Sequence, residues 1–109
     1  ANGCVLVASD AIGSSPYLID DGKTGLLFKS PRTSSNIDNP DMAALNELCM
    51  KVKYLLDNPD KRQEIRRRSL ALMRDEWNPR VAAERLLALI DCLRNGQESP
   101  YSEGPCSKA

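Results

Sequence analysis

Two short apolar runs, set apart by Ser9 and the fifteen positions from Asp10 to Thr24, constrain this chain more than any other feature of it. Cys4 to Ala8 is continuously apolar, carries β-branched Val5 and Val7, and is bounded by Gly3 and by Ser9-Asp10. That is the pattern of a strand buried on both faces. Gly25 to Phe28 is the second run, introduced by the turn pair Asp21-Gly22 and closed by Lys29-Ser30-Pro31. The connection between them is too long for a tight hairpin and long enough for a crossover, which predicts parallel pairing. Within it, Ser14 or Ser15 is placed to cap a short helical piece, with Pro16 at its first position and Tyr17, Leu18 and Ile19 supplying apolar contacts.

Downstream the signal is helical. Ser30 to Asp38 is rich in Ser, Thr, Pro and Asn and predicts an exposed loop. An Asn-Pro pair then recurs at Asn39-Pro40, Asn58-Pro59 and Asn78-Pro79. Asn accepts from the first orphan amides of a helix, and Pro at the first helical position has its φ preset and no N–H to leave unpaired. Three independently capped helices are therefore predicted, over 40–56, 59–77 and 79–93. The first aligns Leu45, Leu48, Cys49, Val52, Leu55 and Leu56, with Lys51 and Lys53 facing away. The second carries Ile65, Ser69 and Met73, and its Arg66-Arg67-Arg68 run reads as a solvated face, because adjacent helical residues point about 100° apart. The third aligns Ala82, Leu86, Leu89, Ile90 and Leu93. Trp77, at the joint of the second and third, reads as a packing wedge rather than a sugar-stacking ring.

Ala1, Gly3, Ser9, Asp10, Gly13, Pro16, Leu18, Ile19, Asp21, Gly22, Thr24, Gly25, Leu26, Leu27 and Phe28 stand in an order and spacing that carry a resemblance. They resemble the closing segment of the donor-binding domain in retaining, GT-B-fold glycosyltransferases that use nucleotide sugars. The later helices follow in the order that family shows, so the likeness spans residues 1–95. It implies an α/β fold, the C-terminal part of a Rossmann-like GT-B domain, with two short parallel strands followed by three helices. Residues 96–109 are then a disordered tail, rich in Gly, Ser, Pro, Glu and Lys. Two positions depart from the pattern: Tyr17 stands where the family commonly has Glu, and Ser14 where it often has a second Gly.

The resemblance also implies a nucleotide-sugar donor, an acceptor of unspecified kind (glycan, lipid or small molecule) and an N-terminal domain against which helix 79–93 packs. In that family a pair of glutamates holds the donor, the second just before an Ala-Met-Ala-x-Gly turn. Ala1-Asn2-Gly3 looks like the end of that turn, which places both glutamates ahead of residue 1 and leaves this segment with no catalytic residue and no activity alone. Open parallel sheets bind ligands outside the carboxyl ends of their strands. Ser9, Asp10, Gly13 and Ser14 are therefore the candidate substrate-binding residues; alternatively Ser9 and Asp10 finish the strand and cap the turn, while Gly13 gives the backbone freedom.

Composition narrows the remaining classes. Fifteen basic and fifteen acidic residues cancel, which argues against a nucleic-acid or membrane-surface binder. No apolar run reaches the ~18 residues of a membrane span. The chain has no histidine, and Cys4, Cys49, Cys92 and Cys106 are far apart in sequence. No metal site, cofactor or local Ser-His or Cys-His nucleophile is expected. Cys4, Cys49 and Cys92 read as small buried hydrophobes in a reducing, cytoplasmic setting, and Cys106 as the exposed thiol. A GT-B-like sugar-nucleotide epimerase would share the fold, and a non-catalytic helical interaction module would share the charge balance.

Overall fold

The computed structural model describes residues 2–30 and 41–107. Its elements run β1 (Val7–Ser9), α1 (Ser15–Leu18), β2 (Leu26–Phe28), α2 (Met42–Asp57), α3 (Pro59–Asp75) and α4 (Pro79–Arg94). They fall into two compact units, residues 2–69 and the chain from Leu70 onward. The predicted loop over 30–38 and the Asn39-Pro40 cap lie, after Ser30, outside the described residues.

In the first unit β1 and β2 pair in parallel, as the crossover length requires, with Val7 opposite Leu26, Ala8 opposite Leu27 and Ser9 opposite Phe28. The Leu26 N–H donates to the Leu6 carbonyl at 2.9 Å and the Asp10 N–H to the Phe28 carbonyl at 3.0 Å. Residues 26 and 28 thus turn their amides toward β1, while Leu27 and Lys29 turn theirs outward. Both outward amides are met by carboxylates: Asp21 Oδ1 accepts from Leu27 at 2.8 Å and Glu47 Oε2 from Lys29 at 2.9 Å. Lys51 Nζ stands 3.5 Å from Asp21 and 3.7 Å from Glu47. One ammonium therefore holds the two groups that close the outer edge of β2 against strand addition.

The core of this unit is Ile65, fully buried, with Leu26 and Leu55, and Val5 and Val7 packed against them. Two expectations change here. The run 4–8 is not buried on both faces: Ala8 is buried, but Cys4 and Leu6 are exposed. Val5 and Val7 project to the covered side, and alternation sends Cys4 and Leu6 to the other. On α2 the inward row is Ala44, Leu48, Lys51 and Leu55, while Leu45, Cys49, Val52 and Leu56 are exposed. Lys51 does not face away, because its ammonium lies between Asp21 and Glu47.

The helix ends show which capping signals act. Asp41 caps α2, its Oδ1 accepting from the Ala43 and Ala44 amides at 2.9 and 3.3 Å. Asn58 works backward: its side-chain amide donates to the Tyr54 carbonyl at 2.8 Å, and Arg62 reaches the Leu55 carbonyl at 3.1 Å. Both satisfy carbonyls at the C-terminus of α2, and α3 still begins at Pro59.

In the second unit Asn78 serves two helices. Its Oδ1 accepts from the Val81 amide at 3.0 Å at the start of α4, and its Nδ2 donates to the Arg74 carbonyl at 2.8 Å in the last turn of α3. Asn78→Ala is expected to lower the unfolding free energy by about 1–2 kcal/mol, read by chemical denaturation. A loss within the ±0.5 kcal/mol or so of an ordinary surface substitution would show that the joint is held by packing around half-buried Trp77 instead.

No residue of α4 is buried. Of the expected stripe, Ala82 and Leu89 are half-buried and Leu86, Ile90 and Leu93 exposed. The helix closes at Asn95 and Gly96, with the Gln97 N–H returning to the Cys92 carbonyl at 2.9 Å. Beyond it, where composition announces disorder, the described residues to Ser107 form bends and turns bonded to α4 through Arg85. The cysteines depart from expectation: Cys4 and Cys49 are exposed and not buried, Cys106 is half-buried and not exposed, Cys92 is half-buried, and all four thiols are free. Among the described residues no helix is long and apolar enough to cross a membrane.

Candidate functional site

The carboxyl ends of β1 and β2 bring Ser9, Asp10 and Ser30 together. The Ser9 hydroxyl accepts from the Ala11 amide at 3.1 Å, and Asp10 Oδ1 accepts from the Ser30 amide at 3.0 Å. Asp10 therefore ties the exit of one strand to the exit of the other through both its backbone and its side chain. Ile12 then turns back, its N–H reaching the Ser9 carbonyl at 3.4 Å. Short polar side chains after a strand make such turns because they replace the ladder partners that the chain has just lost.

Gly13 and Ser14 project beyond this knot. Both are exposed, and a side chain at Gly13 would meet nothing within 4 Å. Ser14 occupies the N-cap position of α1 with φ −92° and ψ −17°, and its hydroxyl makes no capping bond. Its carbonyl instead takes the Tyr17 and Leu18 amides at 3.2 and 3.1 Å. Of the four candidate residues, Ser9 and Asp10 thus have side-chain oxygens engaged with backbone, while Gly13 and Ser14 offer backbone and a hydroxyl to solvent. The arrangement supplies hydrogen bonds and one carboxylate, with no nucleophile beside a base.

The arginine run on α3 is dispersed, as its helical spacing predicts. Arg66, Arg67 and Arg68 are all exposed; Arg66 bonds Gln63 at 3.2 Å and Arg68 pairs with Glu64 at 2.5 Å. The hydrogen bond from Lys61, then the charge of Arg68, hold the Glu64 carboxyl below the ordinary carboxylate range. Asp75 is likewise lowered, first by its hydrogen bond from Arg74. Both groups lie on α3, far in sequence from the strand ends. Among the described residues, no cluster of three or more His, Cys, Asp or Glu side chains could hold a metal ion.

A concavity of about 450 Å³ belongs wholly to the unit that begins at Leu70. Asp75, Glu76, Arg85, Tyr101, Ser102 and Glu103 line it. Sequence reasoning did not find it, because its far wall is the segment whose composition reads as disordered. Nor does Arg85, which follows Glu84 directly on α4, stand out in the sequence.

No protein-family model, curated protein or solved structure matches the chain.

Proposed function

We propose that the chain is the closing segment of the donor-binding domain of a retaining GT-B-fold glycosyltransferase, which moves a sugar from a nucleotide-diphosphate donor to an acceptor. The observation that carries this assignment is the fifteen-residue pattern from Ala1 to Phe28, and several of its described members suit a parallel strand–helix–strand unit. Ser9 closes β1 and Asp10 follows it, Pro16 stands in the first turn of α1 after Ser15, Asp21 meets the outer edge of β2, and Gly25 leaves room beside Leu6. In this role the segment donates hydrogen bonds to the donor from Gly13 and Ser14, and Asp10 fixes the loop that presents them. The exposed stripe of α4 is then the surface that a preceding domain covers.

Two measurements test the assignment. Sequencing the coding region upstream of the Ala1 codon is expected to show a pair of glutamates leading into an Ala-Met-Ala-x-Gly turn; a reading frame without them overturns it. The 109-residue chain by itself is expected to give no heat on titration with UDP-glucose or other common nucleotide sugars. Micromolar binding would move the donor site onto Ser9, Asp10, Gly13 and Ser14 themselves.

A further inference from the structure

We propose that Ser99–Cys106 is an arginine-centred latch, a loop that opens from and closes onto α4 as one unit about the guanidinium of Arg85. This inference is independent of the glycosyl-transfer assignment, since it uses only contacts inside the unit that begins at Leu70.

Arg85 is the hub. Its Nη1 donates to the Glu103 carbonyl at 2.6 Å and the Pro105 carbonyl at 3.4 Å. The same nitrogen lies 3.8 Å from the Glu76 carboxylate, and the guanidinium carbon sits 4.6 Å from the centre of the Tyr101 ring. The side chain is only 21% exposed, so these partners act with little competition from water. A guanidinium suits them because it is a planar fork that can donate in its plane and stack over a ring with its face.

The loop is also closed on itself. The Ser99 hydroxyl donates to the Cys106 carbonyl at 2.6 Å and accepts from the Tyr101 amide at 3.3 Å, joining the two ends of the segment. Between them Pro105 is buried, and Gly104 takes φ +78°, where a Cβ would collide with the Glu76 and Arg85 side chains. Tied ends and one shared hub mean that the contacts form and break together. Opening takes away the cavity's far wall, Tyr101 to Glu103, and bares Glu76 and Arg85 to solvent.

The test follows two sites in the loop at once on the full chain, by mass spectrometry. These are chymotryptic cleavage after Tyr101 and alkylation of Cys106. In Arg85→Ala both rates are expected to rise together by about tenfold or more, as for a lost charge-assisted hydrogen bond. Arg85→Lys is expected to release the loop in part, since an ammonium can donate to the Glu103 and Pro105 carbonyls but has no planar face to lay over the Tyr101 ring. Gly104→Ala, which leaves the sequence of α4 unchanged and acts through the positive φ and the crowding of the Glu76 and Arg85 side-chain ends, is expected to release the loop as well and decides the matter should Arg85→Ala lose helix by circular dichroism. Three outcomes would overturn the proposal: a wild-type loop cut as fast as the variants, a Lys variant as protected as wild type, or Cys106 exposed without cleavage at Tyr101.

Discussion

Ile65→Ala is expected to cost the first unit about 2–5 kcal/mol, enough to unfold much of it at moderate temperature. Among the described residues Ile65 is the one large side chain with no exposure at all, and the core it joins is small: Leu26 from β2, Leu55 from α2, and Val5 and Val7 ahead of and within β1. These partners come from three separate stretches of chain, so no single neighbour can relax into the space left by the lost methylenes. Small domains also bury a modest share of their surface, and total stabilities of about 5–15 kcal/mol leave little margin. Ile65→Val, which removes one methylene, is expected to cost about 0.5–1.5 kcal/mol. Urea denaturation followed by far-UV circular dichroism would measure both. If Ile65→Ala shifted the midpoint no more than Ile65→Val, the cluster would not be the core that holds β1, β2, α2 and α3 together.

That cluster was partly legible in the sequence. Ile65 is the lone isoleucine in the polar first half of α3, so its burial follows from pattern alone. The parallel pairing was legible too, because the length of a crossover excludes a hairpin whatever its residues are. The inward face of α2 was not. Leu45, Leu48, Val52, Leu55 and Leu56 fit two overlapping stripes, and what separates them is the site of the Lys51 ammonium, between Asp21 from far upstream and Glu47. No periodicity encodes a partner that remote. The segment after Gly96 escaped for a related reason: composition counts apolar side chains, whereas Arg85 holds this loop by backbone carbonyls, which every residue has. At the strand ends the types were right and the use undecided. A serine and an aspartate after a strand close a turn and contact a ligand with the same oxygens, and here those oxygens have taken backbone partners.

Gly25→Ala is expected to be nearly as damaging as loss of the Ile65 side chain, through crowding rather than a void. A Cβ on residue 25 would lie 2.9 Å from the Leu6 carbonyl oxygen and 2.9 Å from Ile19 Cγ2. Ile19 is itself buried and has little room to turn. The Leu6 oxygen cannot retreat without loosening the bond it accepts from the Leu26 amide, the first rung between the strands. Nor can residue 25 move out, since its carbonyl takes the Gly22 amide at 2.9 Å. Overpacking of this kind costs about 1–3 kcal/mol and a weakened ladder bond about 1 kcal/mol more. Gly13→Ala is the matched control: its added methyl meets nothing within 4 Å, and it is expected to change stability by less than about 1 kcal/mol, in the stabilising direction where the backbone allows it. Parallel denaturation curves for the two variants would separate the glycine that spaces β1 from β2 from the glycine that only shapes the exposed loop. Equal stabilities would mean that the strands have slack between them, and that the close approach of residue 25 to Leu6 does not set their spacing.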